Sequence, residues 1–122
     1  MKNSVVKDAK LVMESRGFAP KLRSISFSGT WSKLYKTDEH ILDMSCYASE
    51  NGLRVQGQLL DHKGWDIMEE GQVVLKDTSA GMIWAEIGVT GDFSFEVDAP
   101  GKYQLEAVFG DTTVRISNLM IS

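Results

Sequence analysis

The feature that most constrains this chain is the alternation in its last third. Thr90 to Ser122 reads TGDFSFEVDAPGKYQLEAVFGDTTVRISNLMIS. Phe93, Phe95 and Val97 alternate with Asp92, Ser94, Glu96 and Asp98, the period of two expected of a strand with one face buried and one wet. Ala99-Pro100-Gly101 interrupts the run, because proline has no amide to give a ladder and glycine tolerates turn dihedrals. Tyr103, Leu105, Ala107 and Phe109 then alternate with Lys102, Gln104 and Glu106. Gly110-Asp111 turns the chain again, and Val114 with Ile116 opens a third strand. The spacing predicts a meander of three successive antiparallel strands, whose apolar face requires a second layer.

The final strand carries a parity change. Val114 and Ile116 fall on one side, Leu119 and Ile121 on the other. A slip of one residue turns every side chain over. A bulge near Ser117-Asn118 would keep both pairs inward, and the alternative is a strand buried on both faces.

The same alternation recurs upstream. Leu42, Met44, Cys46 and Ala48 alternate with Asp43, Ser45 and Tyr47, and Leu53, Val55, Gly57 and Leu59 with Arg54, Gln56 and Gln58. Glu50-Asn51-Gly52 between them reads as a hairpin turn, so the two runs pair directly. Gly57, inside a run, reads as a bulge. Further strands fall at Ile25 and Phe27, at Trp31 to Lys36, at Val73 to Lys76 and at Met82 to Val89. In the last, Ile83, Ala85, Ile87 and Val89 share one face and Trp84 and Glu86 the other. Ser4 to Gly17 reads two ways. Val5, Val6, Ala9, Val12 and Met13 have helical spacing between a Ser4 cap and a Gly17 stop, whereas Leu11 and Met13 share one side of a strand.

Eight to ten short strands predict one all-β domain over residues 1–122, a two-sheet antiparallel β-sandwich, with a short N-terminal helix as the alternative at 4–17. Its expected core is Leu42, Met44, Leu53, Val55, Leu59, Val73, Leu75, Ile83, Ile87, Phe93, Phe95, Tyr103, Leu105, Phe109, Val114 and Ile116.

Chemistry is harder to find. The net charge of −4 and the scattered Lys and Arg speak against nucleic acid. Lys21, Arg23, Lys33 and Lys36, the nearest thing to a cluster, read as solvated or edge-guarding residues. His40 and His62 on separate turns and one cysteine on a core face lack zinc-ligand spacing. Asp61, Asp66, Glu69 and Glu70 are spaced wrongly for a calcium loop. No serine lies in a nucleophile elbow, and no glycine run makes a phosphate loop. Cys46 reads as a small core hydrophobe. The expectation is a non-enzyme with no cofactor and no metal. A single cysteine, no run of transmembrane length and no leader-like N-terminus predict a cytoplasmic domain that does not enter a membrane.

The order LRVQGQLLD, GQVVLKD and TGDFSFEVDAPGKYQLEAVF resembles the carboxypeptidase-regulatory-like, transthyretin-type β-sandwich. Val55 to Asp61, Gly71 to Leu75, Thr90 to Phe95 and Pro100 to Leu105 carry the likeness, over about half the chain. The family's proline-bearing loop is replaced here by DHKGWDIMEEG. AKLVMES, LRS, SKLYK and HILDMSCYASENGLRVQGQLLD extend the similarity to a C-terminal domain of bacterial anti-sigma-factor-like regulatory proteins. That resemblance implies a transthyretin-like or immunoglobulin-like sandwich, a strand at Lys10 to Ser15, and no catalytic residues to carry over.

Two functions follow as expectations. One is a regulatory or adaptor module binding another protein, in bacterial transcription control or stress signalling. The other is an accessory sandwich that binds carbohydrate or peptide. Trp65, Ile67 and Met68, in a charged, glycine-punctuated connection, are either a recognition patch or a plug under the core. Trp31 and Tyr35 are either an aromatic platform or the cap of the core's end. An open sheet edge is a further contact surface.

Overall fold

Alternation becomes ten strands in the computed structural model, which describes residues 5–16, 31–50, 52–65, 67, 70–77, 81–88, 90–98 and 101–121. They are β1 (Val5–Asp8), β2 (Lys10–Arg16), β3 (Trp31–Lys36), β4 (His40–Ser49), β5 (Gly52–Asp61), β6 (Gly71–Asp77), β7 (Met82–Ile87), β8 (Asp92–Val97), β9 (Gly101–Phe109) and β10 (Thr112–Ile121). Two five-stranded sheets result, ordered β1-β10-β9-β6-β7 and β2-β3-β4-β5-β8. The fold is an all-β two-sheet sandwich. Every pairing is antiparallel except β1 with β10, which is parallel. Ile25 and Phe27 lie outside the described residues.

The N-terminal stretch is strand, not helix. Ala9 alone separates β1 from β2, yet they belong to different sheets. The Ala9 amide donates to the Arg115 carbonyl at 2.8 Å as the chain crosses. On the opposite flank β7 passes to β8 through Gly88–Gly91, again changing sheets. A strand that switches sheets makes a corner and leaves less open flank between the layers.

The expected meander does not form. β9 and β10 make a hairpin, Phe109 pairing with Thr112 around Gly110 at φ 56°. β8 instead pairs with β5 in the other sheet, Val55 opposite Phe95. Alternation reports that one face is buried; it carries no information about which backbone completes the ladder. β4 and β5 pair as expected, Ser49 with Gly52.

The core follows the parity. Leu42, Met44, Cys46, Val55, Leu59, Val73, Leu75, Leu105, Leu119 and Ile121 are all at most 1% exposed. Leu53 and Ile83, expected in the centre, are only partly buried against it, near strand ends or on edge strand β7. The register of β10 on β9 shifts between Ile116 and Leu119, where Ser117 and Asn118 are exposed. The bulge lies where the parity change requires it. Gly57, by contrast, is no bulge, because it stays in register with both Met44 and Phe93. A β-carbon there would lie 2.3 Å from Cζ of Phe93, so the glycine makes room for that ring.

Two stability tests follow. Removing the chain from Leu119 onward takes two fully buried aliphatic side chains out of the core, a loss of about 3–6 kcal/mol. Denaturant unfolding should register it, and a truncation that melts like the full chain would make the tail dispensable. Gly57→Ala should cost about 1–3 kcal/mol by overpacking Phe93, and a conservative reduction of the ring in Phe93→Leu should relieve part of that cost.

Candidate functional site

The candidate surfaces fall in three places, two of them foreseen from the sequence. Trp31 and Tyr35 face inward from β3, at 1% and 5% exposure. They are core, and the aromatic platform is corrected accordingly. Alternation along β3 sends residues 31, 33 and 35 to one side, so Lys33 is also buried instead of solvated. Its ammonium lies 4.4 Å from the Trp31 ring centroid and donates to the Met120 carbonyl at 3.1 Å, tying β3 to β10 of the facing sheet. Burial, with Glu14 adding to it, pushes the Tyr35 hydroxyl up to about 12. A phenol so placed is a neutral packing group at physiological pH.

Trp65 behaves differently. It is 68% exposed, on the turn that leaves β5. Asp61 organises that turn. Its Oδ1 accepts from the backbone amides of Lys63 at 2.9 Å and Trp65 at 3.0 Å, while its own amide donates to the Trp65 carbonyl at 2.8 Å. Gly64, at φ 88°, donates its amide to the Asp61 carbonyl, and the positive φ explains the glycine. The indole is therefore held outward on a braced turn. Ile67, two residues on, goes the other way and packs against the core. Met68 lies outside the described residues. The connection thus divides between anchor and display.

The third place was not foreseen as a site. On the outer face of the second sheet, the registers align Asp43 with Gln58 and Asp92, and Ser45 with Gln56 and Ser94. These six line a groove of about 720 Å³, together with Trp84, Glu86 and Gly88 of the β7 flank. Trp84 is 56% exposed. Its outward parity, opposite Ile83 and Ile87, was readable; the pairing of β8 with β5 that assembles the groove was not.

Other candidates resolve as structure. His40 packs edge-on against Phe109, with ring centroids 4.9 Å apart. Cys46 is fully buried. Among the described residues, no three His, Cys, Asp or Glu side chains are grouped to hold a metal ion, and no helix is long and apolar enough to cross a membrane.

No family model matches this chain, and neither the curated proteins nor the solved structures contain a match.

The turn makes a titration prediction. Hydrogen bonds from the Trp65 and Lys63 amides, with nearby His62 and Lys63, hold the Asp61 carboxyl below its usual range. A carboxylate depressed on folding stabilises the folded form above its ordinary pKa, about 3.9, and that contribution is lost as pH falls through the lowered value. The Lys63 and Trp65 amide proton resonances should therefore move together on acidification, with a midpoint below about 3.9. Asp61→Ala should abolish the step and mobilise the turn; a midpoint at or above the ordinary value would contradict the bracing.

Proposed function

We propose that this chain is a non-catalytic regulatory or adaptor module that binds another protein, with Trp65 as its anchor. One observation carries the reading: a large aromatic side chain displayed to solvent on a turn fixed by hydrogen bonds to Asp61. Tryptophan is enriched among the few residues that dominate interface energetics. A pre-organised turn also loses little entropy on association. An indole left this exposed contributes little to the fold, so its presence on a braced turn is accounted for better by recognition than by packing.

The resemblance to the transthyretin-type sandwich of bacterial anti-sigma-like regulators supplies the setting: a cytoplasmic protein partner in transcription control or stress signalling. The acidic balance of the sequence supports a partner other than nucleic acid.

The test pairs stability with association. Trp65→Ala should change unfolding free energy by no more than about 0.5 kcal/mol, as for surface substitutions generally. It should weaken the complex by about 2 kcal/mol or more, the level of an interface hot spot. Affinity capture from the native host with wild-type and Trp65→Ala baits should show a stoichiometric partner lost only from the variant. A partner held equally by both baits would move the interface elsewhere, and a large fall in melting temperature would return Trp65 to the core.

A further inference from the structure

A cleft of about 450 Å³ lies between the two sheets, with β2 and β3 on one side and the bulge of β10 on the other. Asp8 and Ala9, where the chain crosses from sheet to sheet, are part of its wall. It shares no residue with the groove over β4, β5 and β8.

Tyr35 is the side chain that points to a ligand. Its ring belongs to the core, at 5% exposure, yet it lines the cleft and its hydroxyl finds no hydrogen-bond partner among the described residues. A phenol placed this deeply ordinarily has one. Held up at about 12 by burial, the hydroxyl keeps its proton and stays a donor. Lys33 lies two residues away on the same inward side, only 6% exposed. Its ammonium, anchored on the Met120 carbonyl, brings a positive charge to the same wall. A lysine is rarely buried so far.

Glu14 stands directly opposite Lys33 in register and lines the cleft from β2. It is exposed, it makes no ion pair among the described residues, and its charge adds to the upward shift of Tyr35. Asp8, the other carboxylate in the wall, is already met by Arg115 at 2.9 Å. Leu11, Ile116 and Met120 make the apolar part of the lining, and the bulge sets Ser117 and Asn118 beside them.

Charge then narrows the ligand. A plain carboxylate suits Lys33 and Tyr35 but meets like charge at Glu14; a plain amine suits Glu14 but meets like charge at Lys33. A small molecule that carries both charges on one carbon, together with an apolar side chain, satisfies every group. The volume is in the range of small-ligand sites.

We propose that this cleft binds a free α-amino acid with an apolar side chain, Tyr35 and Lys33 holding its carboxylate, Glu14 its ammonium, and Leu11, Ile116 and Met120 its side chain. A peptide terminus offers only one of the two charges and is not the ligand. The inference does not rest on the Trp65 reading, because it is tested without a protein partner.

The experiment titrates the ¹⁵N-labelled full chain with L-leucine, L-methionine and L-phenylalanine, following NMR shifts and calorimetric affinity. Isocaproate and isoamylamine, which are leucine without its amine and without its carboxylate, serve as truncated analogues. At least one amino acid should shift the Asn118 side-chain amide and the Ser117 backbone amide, and leucine should bind at least about tenfold tighter than either analogue. Tyr35→Phe removes a hydroxyl that bonds nothing in the fold, so it should keep the melting temperature and weaken binding about tenfold, as for a hydrogen bond to a charged group. Glu14→Gln should weaken leucine binding and leave isocaproate bound at least as well, erasing the preference between them. Should Tyr35→Phe lower the melting temperature, Glu14→Gln, at an exposed position, decides the matter. Absence of shifts with all three amino acids at millimolar concentration would overturn the proposal. So would a truncated analogue that binds as tightly as leucine, or an affinity for leucine that Glu14→Gln leaves unchanged.

Discussion

The register slip in β10 is the constraint on which most of the sandwich depends. β10 lies between β1 and β9, and its inward residues come from two parities. Without the bulge at Ser117 and Asn118, Leu119 and Ile121 would point to solvent, or Val114 and Ile116 would. One inserted kink keeps all four in the core. It also brings the Met120 carbonyl to the ammonium of Lys33, a bond that ties the two layers. Because a buried cation is costly unless its hydrogen bonds are supplied, the backbone at the end of β10 is part of what allows Lys33 to face inward.

Much of this was legible, and the limits have physical causes. Parity alone located the strands, most of the core and the bulge, because a half-buried strand leaves a period of two in its side chains. It did not assign β8 its partner, because backbone pairing between strands leaves no comparable mark. Lys33, read with Lys21, Arg23 and Lys36 as solvated or edge-guarding, instead shares the inward side of β3 with Trp31 and Tyr35, where cation–π contact and a carbonyl from the facing sheet accommodate it. Gly57 was assigned a bulge because glycine in a strand usually marks irregular backbone. The ring of Phe93 on the neighbouring strand is the actual reason, and it could only be seen once β5 and β8 were side by side.

The candidate surfaces divide along the same line. Trp65 drew notice as an aromatic without an inward partner, and its local sequence contains the means of its display, since Asp61 and Gly64 are four and one residues away. The groove is non-local. Its rows collect residues from three strands spread over some fifty positions, each of which reads singly as an ordinary wet face. Only the alignment of those faces gives them collective meaning.

The parallel pairing of β1 with β10 has a consequence for how the molecule comes into being. Among the described residues β1 has no other strand neighbour, so it has no described ladder to join until residues 112–121 have left the ribosome. During synthesis its exposed Val5 and Val6 would wait beside a growing, incomplete sheet. Loop closure over that separation is slow relative to local hairpin formation. The sheet built from β2 to β5 can begin from neighbours in sequence, whereas the other joins strands more than a hundred residues apart, making the docking of β1 a late event in assembly.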